Sequence, residues 1–126
     1  MKAILHNYRQ APRKVRLVTQ LIKGKKVQDA VIELDFLAKR ASLPIKKLLN
    51  SAVANALAKT DVKKEDLYVS NVMVDKGVVL KRSMPRARGS AFPIHKHTSN
   101  VVIELGVKDS SKVKGAKPKT TKKTNK

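Results

Sequence analysis

The sequence predicts an α+β fold with three helices, about three strands and one long β-hairpin arm, and three observations carry that prediction. Apolar residues recur at three- and four-residue spacing in three successive stretches between residues 12 and 57. Strand-like apolar patterns bracket them at residues 1–8, 67–75 and 98–107. Between the last two strands lies an acid-free stretch, residues 77–100, reading G-V-V-L-K-R-S-M-P-R-A-R-G-S-A-F-P-I-H-K-H-T-S-N. Its basic centre is punctuated by Pro85, Gly89 and Pro93, as expected of the tip of an arm that leaves the body of a domain.

Residues 1–8, M-K-A-I-L-H-N-Y, are short, partly apolar and uncapped, which suits a strand. Ala11 and Pro12 end it, and Pro12 fits the first position of a helix, where its missing N–H costs no hydrogen bond. Val15, Val18 and Ile22, flanked by Leu17 and Leu21, then run at helical spacing to Gly24, a plausible stop, while Arg13, Lys14, Arg16 and Lys23 take the other face. The short K-G-K-K link of residues 23–26 makes the next helix a close neighbour. That helix places Val27, Ala30, Val31, Leu34 and Leu37 opposite Gln28, Asp29, Glu33 and Asp35. A third helix starts near Ser42 or Leu43, with Ser42 able to cap it and Pro44 tolerable only in its first turn. Its wide stripe of Ile45, Leu48, Leu49, Ala52, Val53, Ala56 and Leu57 marks the central core helix, and its small alanines allow close packing.

A polar turn at residues 60–66 leads into the strand at 67–75, with Leu67, Val69 and Met73 on one face and Tyr68, Val72 and Val74 on the other. In the strand at 98–107, Val101, Ile103, Leu105 and Val107 alternate with Asn100, Glu104 and Gly106. Beyond residue 107 the pattern lapses into eight lysines and one acid, Asp109, spaced by Ser, Thr, Gly and Pro. Such a segment cannot bury enough apolar surface to fold alone. The expected organisation is one domain over residues 1–107, its hairpin at about 77–100, and a Lys-rich flexible tail at 108–126.

Charge narrows the function. The chain has 29 basic and nine acidic residues in 126, a formal net charge of +20. That self-repulsion is a standing cost unless a polyanion neutralises it. The absence of cysteine suits a reducing compartment, no apolar run approaches a membrane span, and the N-terminus has no apolar signal core. A cytoplasmic nucleic-acid partner is the leading class. A membrane-surface role is the weaker one, because the basic residues are not gathered on one amphipathic helix.

No catalytic constellation emerges. His95 and His97 form an H-x-H pair, but two ligands do not make a zinc site and no cysteine or acid lies near to complete one. Asp29, Glu33 and Asp35 read as a solvated helix face, Ser83 and Ser90 lack a base in defined relation, and no phosphate-cradling glycine loop is present. We expect no enzyme activity, no metal and no cofactor. Arginines beside Pro and Gly on a projecting loop are better explained by phosphate binding, for which the guanidinium is a rigid fork. Each leg of the arm, about ten residues at about 3.3 Å each, would reach roughly 30 Å. A body of about 100 residues has a radius of gyration near 13 Å. Since an isolated two-stranded ribbon is marginal in water, the arm should gain order from an anionic surface it lies against. Tyr8, Phe36, Tyr68 and Phe92 are the only aromatics, which disfavours single-strand recognition by serial stacking and favours recognition of backbone shape.

The blocks A-P-R-K-V-R-L-V, L-I-K-G-K-K-V, L-L-N-S-A-V-A-N-A, V-D-K-G, K-R-S-M-P-R-A-R-G-S-A and H-T-S-N-V-V-I-E-L, in that order, resemble those of the bacterial ribosomal protein L-twenty-two family of the large subunit. The resemblance covers residues 1 to about 107, and the M-P-R-A-R-G block is its most specific part. It implies three helices on a small antiparallel sheet, with the hairpin reaching into large-subunit ribosomal RNA and its tip lining the nascent-peptide exit tunnel near the macrolide region. It further implies an early assembly role, neighbouring ribosomal proteins and the nascent polypeptide as partners, and no homo-oligomer. Carried over by position, Arg13, Lys14, Arg16, Lys23, Lys25 and Lys26 would be RNA contacts of the body. Lys81, Arg82, Arg86, Arg88 and Lys96 would be those of the hairpin, and Met84, Pro85, Arg86, Ala87, Arg88 and Gly89 the tunnel tip. The chain departs from the family pattern at Ala11, where a capping Ser is common, at Pro44, and along Ser90, Phe92, Pro93 and His95 of the return leg. Two alternatives are a DNA-bending protein that inserts Pro85 or Pro93 into a minor groove, and an RNA-processing enzyme using His95, Lys96 and His97.

Overall fold

A computed structural model describes residues 1–59 and 62–107; the tail expected at 108–126 lies outside the described residues. The elements run β1 (Lys2–Tyr8), α1 (Pro12–Ile22), α2 (Val27–Phe36), α3 (Ser42–Lys59), a 3-10 turn at Lys64–Asp66, β2 (Leu67–Pro85), a 3-10 turn at Ala87–Gly89, and β3 (Ala91–Val107). The fold is α+β, with the three helices packed on a three-stranded antiparallel sheet ordered β1-β3-β2. The strand with the plainest alternation, β3, takes the centre, because it can pair on both edges.

The buried face of β3, Ser99, Val101, Ile103 and Leu105, receives the helices. From α1 come Val15, Val18 and Ile22, from α2 Val27, Ala30 and Leu34, and from α3 Ile45, Leu49, Ala52 and Ala56, all in one continuous core. The K-G-K-K link does more than connect. Gly24 N–H donates to the Val69 carbonyl (2.8 Å) and Val69 N–H to the Lys25 carbonyl (2.9 Å), so the link lies along the outer edge of β2.

Two local expectations are corrected. Ser42 is the first residue of α3, and instead of capping the helix its Oγ donates to the carbonyls of Lys39 (2.6 Å) and Leu37 (3.0 Å). Ala41, one residue earlier, accepts the first helical bond from Ile45 N–H (3.2 Å). Pro44 then falls in the first turn, where it removes no helical bond. The second correction concerns β2. Val69 pairs with Leu105 but Asn71 pairs with Glu104, so one extra residue bulges from β2 there. A bulge reverses the alternation beyond it. Val74 therefore joins Leu67 and Val69 in the core, and Met73 faces solvent.

The hairpin is one continuous ladder rather than two strands joined by a long loop. Pairing runs from Leu67 opposite Val107 to Pro85 opposite Ala91. β1 last pairs at Tyr8 with Ser99, so from there outward the ribbon has two strands. Every residue from 81 to 97 is exposed. At its root β2 bulges again between Lys76 and Val79, and Thr98 Oγ1 donates to the Val78 carbonyl (2.6 Å). A Cβ at Gly77 would stand 2.5 Å from that Oγ1 and 3.3 Å from the Thr98 carbonyl carbon, so the root closes this tightly only around glycine.

Candidate nucleic-acid interface

The basic residues sort into three places that the tertiary structure defines. The first is a groove of about 750 Å3 in the angle where the hairpin leaves the body, lined by Arg9, Gln10, Ala11, Lys14, Arg40, Leu80, Arg82, His95, Lys96, His97 and Thr98. Among the described residues, five permanent cations and two imidazoles line it, and no carboxylate does. Its walls are fixed by hydrogen bonds. Asn7 adopts a left-handed conformation (φ 51°) that an Asn tolerates, and its N–H donates to Asn100 Oδ1 (2.8 Å). Ser99 Oγ donates to the Gln10 carbonyl (2.5 Å), which ties the turn carrying Arg9 and Gln10 to the hairpin root. Tyr8 Oη donates to the Arg40 carbonyl (3.3 Å), which holds the α2–α3 loop beside it. Burial raises the Tyr8 pKa above its ordinary value, and the Arg40 charge opposes that shift.

The second place lies beside α1, where Arg16, Thr19, Gln20 and Lys23 meet Val72 and Val74 of β2 around about 200 Å3. Arg16 is partly committed there. Its Nη2 (2.8 Å) and Nε (3.2 Å) both donate to the Val74 carbonyl, so the guanidinium braces α1 against the strand that becomes the arm.

The third place is the tip. Arg86 N–H donates to the Ser90 carbonyl (2.8 Å), and Ser90 N–H (3.4 Å) and Oγ (2.9 Å) donate to the Ala87 carbonyl. Arg88 (φ 58°) and Gly89 (φ 71°) are both left-handed, and at Gly89 any side chain would be strained. Of the residues read as the tip, Met84 and Pro85 end the ladder, and Arg86, Ala87, Arg88 and Gly89 form the turn.

The structure thus brings Lys14, Arg82 and Lys96 together at the root, pairs Arg16 with Lys23 beside α1, and isolates Arg86 and Arg88 at the tip. Arg13, Lys26 and Lys81 are exposed. Lys25 is spoken for, since its ammonium is paired with the Glu33 carboxylate; Lys46 and Asp35 form a similar pair at 2.5 Å. Arg9 and Arg40 were not singled out from sequence. They are 31 residues apart, and only the bulge after Leu5 and the Tyr8–Arg40 contact bring them to one groove. Among the described residues there is no group of three or more His, Cys, Asp or Glu positioned to hold a metal, and no helix long and apolar enough to cross a membrane. Chemically, the surface can bind a polyanion at several places at once.

The model of the family described as ribosomal protein L22p/L17e matches residues 3–106. The chain is 46% identical over 108 residues to large ribosomal subunit protein uL22 of Lactobacillus helveticus, covering 86% of this chain and 92% of that protein. It is 48% identical over 106 residues to the uL22 of Deinococcus radiodurans (84% and 79% covered). With the uL22 of Lactobacillus delbrueckii subsp. bulgaricus it shares 50% identity over 102 residues (81% and 87% covered).

Proposed function

From the premise that this chain belongs to the ribosomal protein L22p/L17e family, and so is a structural constituent of the large ribosomal subunit, we propose that it binds large-subunit ribosomal RNA through the root groove and hairpin. In this reading it supports assembly and carries its tip to the wall of the nascent-peptide exit tunnel. The observation that carries the proposal is the root groove itself, with Arg9, Lys14, Arg40, Arg82 and Lys96 in a concave angle and no acid among the described residues that line it. A double-helical RNA edge fits such an angle, with phosphates meeting cations on both the body and the arm.

Arg13, Lys23, Lys26 and Lys81 add exposed charge elsewhere on the body and arm, and Arg86 and Arg88 add it at the tip. The exposed ribbon, which no core element covers, gains its order from the RNA it lies on. Catalysis plays no part in this role. Neighbouring ribosomal proteins and the nascent polypeptide are its other partners, and the chain acts as a single copy.

Three measurements test this. The chain should co-sediment with the large subunit after a high-salt wash and should prefer ribosomal RNA to duplex DNA at matched salt. Deleting residues 83–90 should leave incorporation intact and change the tunnel or the response to macrolides. Equal affinity for duplex DNA would overturn the RNA reading, and a deletion without effect on the tunnel would overturn the tip's role.

A further inference from the structure

The hairpin carries an apolar platform that phosphate binding does not use. Directly opposed residues of an antiparallel ladder share a face. Met84 opposes Phe92, Arg82 opposes Ile94 and Leu80 opposes Lys96, so one face of the ribbon reads basic and apolar side by side. The other face reads Pro85 with Ala91, Ser83 with Pro93, and Lys81 with His95. On the first face, Phe92 is 57% exposed, Met84 45% and Ile94 38%. All three line a shallow cavity of about 670 Å3 beneath the tip, together with Arg86, Ala87 and Ser90 of the turn and, from the other face, Pro93. None belongs to the hydrophobic core. Arg82 stands at one end of the platform and Arg86 at the other, and the chain has no acid from residue 76 to residue 103.

We propose that Phe92, backed by Met84 and Ile94, stacks an unpaired nucleobase of the ribosomal RNA, with the phosphates flanking that base held by Arg82 and Arg86. An apolar plate between two cations is complementary to a flat ring between two phosphates. The Arg82 guanidinium already donates to the Lys81 carbonyl (2.8 Å), but an apolar peptide segment would satisfy the plate and leave both guanidiniums without an anion. The proposal rests on the RNA-binding reading and sharpens it. It turns the Met84–Phe92–Ile94 face of the tip towards the RNA and leaves the Pro85–Ala91 and Ser83–Pro93 face for the tunnel lumen. One exposed aromatic cannot track a strand, but it can read one base. Stacking on a side chain is worth about 1–3 kcal/mol per base by alanine substitution, equivalent to about 5- to 150-fold in affinity.

The test uses the full chain and large-subunit ribosomal RNA. The protein contains no tryptophan, so Phe92→Trp supplies a single fluorophore at the platform. Its emission should be quenched and protected from acrylamide on binding, whereas Phe36→Trp, at an 86% exposed position on α2, should not be. Phe92→Ala should weaken binding about 5- to 150-fold without changing the salt dependence, and should expose one base to chemical modification. Phe92→Tyr should restore affinity and Phe92→Leu, which keeps apolar area without a π-face, should not. Full affinity in the Leu variant, or an unquenched Trp in a chain that co-sediments with the RNA, overturns the stack. Quenching that requires a translating ribosome assigns the platform to the nascent peptide and also overturns it. Failure to co-sediment would instead remove the RNA-binding reading and the stack with it.

Discussion

Arg16 shows how a residue chosen for its charge can serve the fold as well. Both guanidinium nitrogens aimed at the Val74 carbonyl hold α1 against β2 just before the arm begins. Hydrogen bonds to charged donors contribute about 1.5–3 kcal/mol when buried, and partial exposure reduces that. Arg16→Ala should therefore cost about 1 kcal/mol in urea denaturation, and Arg16→Lys should recover little, because an ammonium cannot reproduce the two-pronged contact. A substitution that changes RNA affinity without changing the urea midpoint would show that the brace is unimportant to the body.

Tyr8 carries the residue-scale pH dependence. Its pKa is raised above 10.0 chiefly by burial, with the charge of Arg40 acting in the opposite sense. As pH climbs, the unfolded chain therefore loses this phenolic proton before the folded chain does. The stability this group contributes is intact below about pH 10 and falls as pH rises through the folded value. Wild type and Tyr8→Phe should differ by a constant amount in urea midpoint from pH 7 to 9, and the gap should narrow above pH 10. Lysines titrate in the same range, but they are common to both proteins. A gap that stays flat to pH 11 would contradict the assigned shift.

At the scale of the element, the hairpin and α3 behave oppositely. α3 is held by its burial, with Ile45, Leu49, Ala52 and Ala56 fully covered. The outer ribbon has ladder hydrogen bonds but no apolar cover, and every residue from 81 to 97 is exposed. Its amides should exchange within the low-stability range of the free protein, while those of Val101, Ile103 and Leu105 should approach the global limit. Binding to RNA should slow exchange at 81–97 and leave the core unchanged. Equal protection in the free and bound states would mean that the ribbon orders itself.

At the scale of the molecule, the root groove joins charges contributed by the β1–α1 turn, α1, the α2–α3 loop and both legs of the arm. Each phosphate neutralised contributes about 0.7–0.9 to the salt slope of binding. Replacing Arg9, Lys14 and Arg40 together by alanine should lower that slope by about 2–3 and leave the urea midpoint nearly unchanged, because these side chains make no ion pair among the described residues. A slope that does not move would place the RNA elsewhere on the molecule.

Helix periodicity and strand alternation are local properties, so α1, α2, α3 and β3 were legible, apart from Leu57 of the α3 stripe, which is exposed, and so was an arm, which the outer halves of β2 and β3 form. Net charge and the acid-free run from 76 to 103 point to a polyanion without reference to tertiary structure. Three features were not legible. The bulge after Val69 exchanged Met73 for Val74 in the core, because an extra residue in one strand is defined only by its partner. Arg9 and Arg40 became neighbours through contacts between elements far apart in sequence. Phe92 looked like one aromatic too few until its register against Met84 gave it a platform. By itself the sequence determined which segments are helix, strand and arm, and the sign of the partner's charge, since both follow from residue type and spacing. Which side chains share a groove or a face was decided only by the tertiary structure, because strand register and the packing angle at the hairpin root are set by pairs of segments that no single stretch contains.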